Sequence, residues 1–168
     1  MKKILTLILT IFIFSGCSLL INNNEINTSY GKYTIPTTWM KSNSHSTRNK
    51  TFYINKKDRR NNRPNNISVE TGTNRYKKDD HIQFRQAILR QLMMQMKGTD
   101  ATINGDGWTT KNGYICYTFT IDEGEYKTVQ HYIVGDYRYV LVHETTWDSN
   151  YKDTDMAAKE IVNSFIWK

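Results

Sequence analysis

The chain has 168 residues, 23 Lys and Arg against 16 Asp and Glu, a formal net charge of +7, and two cysteines. That length suits one domain with its own hydrophobic core, and no internal repeat or second boundary divides it. The positive charge is mild and spread along the chain, so it speaks to solubility and to attraction for anionic surfaces rather than to fold.

The N-terminus is read first. Met1-Lys2-Lys3 is a short positive start, and Ile4 to Phe14 is apolar except for Thr6 and Thr10. A run this short falls below the ~20 residues that span ~30 Å of hydrocarbon. With the small residues Ser15 and Gly16 behind it, it reads as a secretory signal over residues 1–16. The sequence Phe14-Ser15-Gly16-Cys17 resembles the bacterial lipobox, in which the cysteine takes a diacylglycerol before cleavage. Cys17 is therefore the expected lipidation site and membrane anchor, each buried acyl CH₂ contributing roughly 0.8 kcal/mol. Ser18 in place of Asp favours, by resemblance to Gram-negative sorting, the outer membrane facing the periplasm. Loss of Lys2 and Lys3 with the signal lowers the net charge from +7 to +5. Residues 17–29, polar and Asn-rich at Asn22-Asn23-Asn24, read as the lipidated cysteine and a flexible tether, and residues 30–168 as the domain. Lipidation of Cys17 leaves Cys116 alone, which excludes an internal disulfide. Nucleic acid is not expected as a partner of an exported chain.

The domain opens with a short strand, Lys32 to Pro36, followed by Trp39. Strands are expected at Thr51–Asn55 and Asn66–Thr71, separated by the polar loop Lys56–Asn65, whose Lys56, Lys57, Arg59, Arg60 and Arg63 form the one dense basic cluster. Asp80 and Gln83 fit a capping box. Phe84, Ile88, Leu89, Leu92, Met93 and Met96 then recur at helical spacing until Gly98, which predicts a helix over 81–97 with its methionines as core filler. A strand-and-turn region follows to residue 147, with two-residue hairpin loops expected at Asn112-Gly113, Glu123-Gly124 and Gly135-Asp136. Those loops set Trp108 opposite Tyr117, Cys116 opposite His131, and His131 opposite Val140. One face then carries Trp108, Tyr117, Phe119, Ile121, Tyr132 and Leu141, and the other Cys116, Thr118, Val129, His131, Val140 and Val142. Both faces are apolar at their centres, so both need cover. A second helix from about Lys152 to Phe165, with Ala158, Ile161, Val162 and Phe165 inward, supplies part of it. The fold class is α+β, a twisted antiparallel sheet with helices packed on it.

The opening Tyr33-Thr34-Ile35-Pro36 with Trp39 three residues after the proline resembles that of the PsbP-like superfamily. The element order and the closing Ile161-Val162-Asn163-Ser164-Phe165 do so as well, over roughly residues 30–166. The resemblance implies an α/β/α sandwich and a binding module without catalytic residues. The superfamily includes DcrB-like lipoproteins, lipid-anchored immunity proteins that block type VI secretion toxins in the periplasm, and cytoplasmic chaperones for such toxins. The lipobox argues against the chaperone branch.

The residues offer little chemistry of their own. None of His45, His81, His131 and His143 has metal-ligand spacing, and H-E-x-x-H, C-x-x-C and G-x-S-x-G are absent. Asn104-Gly105-Asp106-Gly107 precedes no helix and so is no phosphate loop. Asp122, Glu123 and Glu125, with Asp100, Asn104 and Asp106, make an exposed calcium site conceivable, although a solvated turn explains them and no cofactor is expected. Cys116 beside His131 is the start of a cysteine nucleophile, against a reading as ordinary core packing. Four Trp and eleven Tyr exceed what one core buries. Trp39, Trp108 and Tyr117 are assigned to the core. Tyr126, Tyr137, Arg138, Trp147 and Tyr151, with Glu123 and Glu125, are assigned to a protein-docking edge. The expected function is non-enzymatic binding of a secreted or periplasmic protein from a lipid anchor in the cell envelope, in its sharpest form toxin immunity. A housekeeping envelope assembly or structural lipoprotein and a Cys116–His131 enzyme are the alternatives.

Overall fold

The structure is a computed structural model that describes residues 23–147 and 152–168. Strands β1 (Asn23–Asn27) and β2 (Gly31–Pro36) form a hairpin, and β10 (Ile166–Trp167) pairs with the other side of β2. The second sheet has seven strands: β3 (Trp39–Lys41), β4 (Lys50–Asn55), β5 (Asn66–Thr73), β6 (Thr102–Thr109), β7 (Ile115–Asp122), β8 (Lys127–Gly135) and β9 (Arg138–Thr146). They lie in the order β3-β4-β5-β9-β8-β7-β6, and every described pairing is antiparallel. Helices α1 (His81–Gln95) and α2 (Lys152–Ser164) complete the fold. The architecture is the expected α+β sheet with helices on it. No helix among the described residues is long and apolar enough to cross a membrane.

Strand alternation sends two sets of side chains to opposite faces of the large sheet. On one face Ile67, Val69, Cys116, Ile133, Val140 and Val142 meet Tyr33 and Ile35 of the small sheet and Ala158, Ile161, Val162 and Phe165 from the C-terminal segment. On the other, Tyr117, Phe119, Ile121, Tyr132 and Leu141 meet Phe84, Ile88 and Leu92 of α1. Each of the Val, Ile, Leu and Phe side chains, fully buried, contributes about 1.5–3 kcal/mol. Phe84 and Phe119 meet Tyr132 edge-on, at centroid distances of 5.9 and 6.0 Å, the geometry that the aromatic quadrupole prefers. A buried hydroxyl pair, Tyr33 to Tyr53 at 2.9 Å, joins the two sheets.

Three expectations need correction. Asn23–Asn27, assigned to the tether for its polar composition, is strand β1. Its backbone bonds β2 along an edge, where polar side chains face water at little cost, and Ile26 packs on the core. Helix α1 ends two residues earlier than predicted, and Met93 and Met94 are 60% and 70% exposed. The inward stripe is Phe84, Ile88 and Leu92, flanked by Leu89 and Met96. Asp80 makes no side-chain cap to α1; its carboxylate instead accepts from Lys77 N–H at 3.4 Å in the 3₁₀ turn before the helix. His81 Nδ1 and the Tyr117 hydroxyl, 2.6 Å apart, tie the helix start to the sheet.

Loop length decides register, and all three hairpins differ from expectation. The β6–β7 loop is Lys111-Asn112-Gly113, closed by Thr110 N–H to Tyr114 O at 2.8 Å, with Gly113 at φ +81°. This is the three-residue loop that ends on a left-handed residue. The one-residue change flips a strand relative to its neighbour. Trp108 therefore lies opposite Cys116, not Tyr117, and belongs to the α2 face, where it is half-buried. The β7–β8 loop is Gly124-Glu125, with Gly124 at φ +80°. Moving that centre by one residue keeps every face and changes every partner: Cys116 lies opposite Ile133, and His131 opposite Thr118. The β8–β9 loop is likewise Asp136-Tyr137, so His131 faces Val142. Tyr137 takes φ +57°, held by Tyr137 N–H to Tyr76 O at 2.8 Å and Asn74 N–H to Tyr137 O at 2.9 Å.

Two predictions follow from packing. A Cβ on Gly31 would stand 2.6 Å from both the Ile166 carbonyl oxygen and the Phe165 ring. Gly31→Ala is expected to cost about 1–3 kcal/mol in urea denaturation, because a backbone oxygen cannot swing away. His143 is half-buried on β9, between β5 and β8, and its buried Nε2 has no hydrogen-bond partner among the described residues. Burial first, then the nearby Lys50 and His131, lower its pKa from 6.5 to about 4. The unfolded chain then binds the proton more tightly, so this contribution to stability is full above pH 6.5 and is lost as pH falls toward 4. The loss is up to about 3 kcal/mol. Urea midpoints across that window should drop for the parent chain and flatten in His143→Gln.

Candidate functional site: a polar cleft and an aromatic edge

The α2 face of the large sheet changes character along its strands. Near the loop at residues 111–113, its inward positions are Trp108, Cys116, Ile133 and Val140; toward the 124–125 turn they become Asp106, Thr118, Thr120, Lys127, Glu144 and Thr146, with Val129 the one apolar side chain among them. Helix α2 lies over β9 and β5 and beside β2. It leaves the β6–β7 part of this face open, and a cleft of about 500 Å³ forms between that floor and Asp155, Lys159 and Asn163 of α2. The polar alternation Cys116, Thr118, Thr120, Asp122 between Tyr117, Phe119 and Ile121 is the sequence signal for such an open floor.

A chain of hydrogen bonds runs beneath it. Trp108 Nε1–H donates to Thr118 Oγ1 at 3.0 Å, Thr118 Oγ1 and His131 Nδ1 are 2.8 Å apart, and His131 Nε2 lies 3.3 Å from Glu144 Oε1. His131 and Glu144 are 1% and 2% exposed. With a neutral imidazole, Thr118 donates to Nδ1 and Nε2–H donates to the carboxylate, so both ring nitrogens have a partner. None of the sequence expectations joined Trp108, Thr118 and Glu144 to His131, because the joining depends on the true register.

The same register parts Cys116 from its expected partner. Cys116 faces Ile133 rather than His131, and burial pushes its thiol pKa up to about 12, whereas reactive thiols have theirs lowered. Thr118 sits mid-strand with its flanking amides in the two ladders, and Trp108 already donates to its oxygen. This geometry suits holding a molecule by hydrogen bonds. Among the described residues no three His, Cys, Asp or Glu side chains gather to hold a metal ion. Asp122 accepts from Gly124 N–H at 2.9 Å and Asp106 from Gly107 N–H at 2.7 Å, both within their own backbone segments. Asn104 to Gly107 is the middle of β6.

The proposed docking residues divide into two groups. Tyr126 and Trp147 stack at 4.7 Å, Arg63 lies 5.1 Å over the Trp147 ring, and Arg63 pairs with Glu125 at 3.6 Å. Glu123 belongs to the same tip, where its N–H donates to Tyr126 O at 3.1 Å and its carboxylate, by hydrogen bonding, raises the Tyr126 pKa. Tyr137 and Arg138 stand at the opposite end of the nine-residue strands β8 and β9, about 25–30 Å away. There Arg138 lies 4.3 Å over the Trp167 ring and donates to the Lys168 carbonyl at 3.0 Å. Tyr151 and Cys17 lie outside the described residues. Of the basic cluster, Lys57 bonds Asp153 at 2.6 Å and Arg63 joins the aromatic tip. Lys127 and Thr146 line the cleft and are chain neighbours of Tyr126 and Trp147, so the aromatic edge and the cleft share one end of the sheet.

The buried pair gives a sharp stability test. Glu144→Ala leaves the buried Nε2–H of a neutral imidazole without its acceptor and is expected to cost about 1–3 kcal/mol, whereas His131→Phe combined with Glu144→Leu recovers most of that loss. Urea denaturation of the two variants beside the parent checks it.

No family model and no curated protein matches the sequence. Among solved structures, the chain is similar to the solution structure of cyanobacterial PsbP (CyanoP) from Synechocystis sp. PCC 6803, at 12% identity and a TM-score of 0.57. That match covers 91% of this chain and 96% of the other. A protein from Bacteroides thetaiotaomicron VPI-5482 is 11% identical with a TM-score of 0.46, over 82% of this chain and 45% of its own. At such identity the first likeness speaks for fold alone: this chain is an α+β protein with a PsbP-like fold.

Proposed function

We propose that this chain is a lipid-anchored protein of the bacterial cell envelope that works by binding another protein rather than by catalysis, and that its partner is a secreted toxin neutralised in the periplasm. The observation that carries the binding reading is the tip formed by Arg63, Glu125, Tyr126 and Trp147. Its two rings are held against each other by a cation and fixed turns, so little side-chain freedom is left to lose on docking. Trp, Tyr and Arg are also the residues that dominate binding hot spots. The lipobox-like residues 14–17 support the anchor, and the domain begins at β1, only residues 18–22 separating it from Cys17 in the sequence. The toxin-immunity reading draws on the PsbP-like resemblance, a superfamily with lipid-anchored immunity proteins among its members.

Two measurements test the two halves. Produced in a Gram-negative host, the full chain should fractionate with membranes and carry an acylated Cys17 by mass spectrometry, while Cys17→Ser stays unacylated. An unmodified Cys17 in the parent ends the anchor reading. Affinity capture from envelope and secreted fractions should recover one secreted protein in stoichiometric amount. The double variant Tyr126→Ala with Trp147→Ala should bind that protein at least about tenfold more weakly with its fold intact by circular dichroism. Equal binding by the variant rejects the tip as the interface, and a chain that recovers nothing points to a housekeeping envelope role.

A further inference from the structure

We propose that the cleft between α2 and the β6–β7 floor is a binding site for a small neutral sugar, separate from the aromatic tip. The volume comes first. About 500 Å³ accommodates one or two sugar rings and is ordinary for small-molecule sites.

Charge narrows the class. Two polar pairs in the cleft are internal: Lys159 holds Asp155 at 2.9 Å, and His131 stands 3.3 Å from Glu144. Lys127, at one end, likewise has a partner. An anionic ligand would have to draw Lys159 from Asp155 or Lys127 from its partner, and the carboxylates of Asp106 and Glu144 would repel it. A neutral one meets neither obstacle.

Besides those pairs the cleft is faced by the hydroxyls of Thr118 and Thr120, by Thr146, whose hydroxyl donates to the Lys127 carbonyl at 3.2 Å, by Val129 and Asn163, and by the Asp106 carboxylate and the Trp108 indole. Thr118 Oγ1 accepts from Trp108 and gives its proton to His131 in the neutral network, which leaves one lone pair for a ligand hydroxyl. Asp106 spends Oδ1 on Gly107 N–H, and its second oxygen is a further acceptor. The Trp108 ring is pinned by its own Nε1–H donation, so it offers a fixed apolar plate beside acceptors. Acceptors and hydroxyls flanking a fixed indole plate suit a ring with one face of C–H groups and an edge of hydroxyls, which is the chemistry of a sugar. His131 and Glu144 act as positioning residues, because they set where Thr118 points.

The test uses the full chain, extracted in a zwitterionic, sugar-free detergent, with the Trp108 indole N–H followed by NMR and assigned through Trp108→Phe. Glucose and N-acetylglucosamine are the probes, with inorganic phosphate and glycine as charged controls. Either sugar should shift the Trp108 signal saturably, and phosphate and glycine should leave it in place. Asp106→Asn and Thr118→Val should each weaken the sugar at least about tenfold, Asp106→Asn guarding against a Thr118→Val chain that fails to fold. A Trp108 signal unmoved by either sugar overturns the proposal, as does one moved by phosphate or glycine alone or one moved equally in Asp106→Asn. Binding of the toxin-like partner is not part of this readout, so its absence leaves the outcome unchanged.

Discussion

The seven-stranded sheet has apolar side chains on both faces at its centre, and covering them is the constraint from which the other features follow. Helix α1 covers one face with Phe84, Ile88 and Leu92 set against a cluster of aromatic rings. The other face is shared by α2 and the small sheet of β1, β2 and β10, which meet around Phe165 and Gly31. A thirteen-residue helix is about 20 Å long, too short and narrow to cover seven strands. The uncovered part falls over β6 and β7, where the inward residues are hydroxylated or charged rather than apolar. The cleft is what remains when cover runs out, and its polar floor is the condition for leaving it open to water.

Between the apolar centre and that floor stand His131 and Glu144. An ion pair or a strong hydrogen bond buried to this degree rarely adds net stability over a well-packed apolar pair. What it provides is direction. It fixes the imidazole ring, the ring fixes Thr118, and Thr118 with Trp108 fixes the wall of the cleft. Cys116, two residues before Thr118 on β7, is buried opposite Ile133 with its thiol held protonated.

At the same end of the sheet, the 124–125 turn and the residues after β9 bring Tyr126 and Trp147 together. Arg63 reaches them from the loop between β4 and β5, far away in sequence. The surface there is thus composed from three segments, each held by strands in the same sheet. A preorganised edge of this kind holds two half-buried rings in place at low entropic cost, and it lies beside the cleft at one end of the sheet.

Much of the fold was legible from periodicity. The helical stripe at 84, 88 and 92, the strand alternation at 117, 119 and 121, and the inward Ala158, Ile161 and Val162 all follow from one helix or strand repeat, and each is local. The signal-like start and Cys17 are legible by the same local means, from charge, length and small residues. The site was less legible, for a specific reason. Asn112-Gly113 announces a turn but not whether the loop holds two or three residues, and that one residue moves Trp108 to the opposite face. A two-residue slip at the next hairpin exchanges Cys116 for Thr118 as the partner of His131. Glu144 and Arg63 come from strands and loops remote in sequence, and the exposure of Met93 and Met94 depends on how far the sheet extends beneath α1. The sequence by itself determined which elements form and which of their faces are apolar, because those depend on neighbours within a few residues. Which side chains meet across strands, and where cover gives way to a cleft, only the tertiary structure decided, because they depend on registers and lengths that no local repeat encodes.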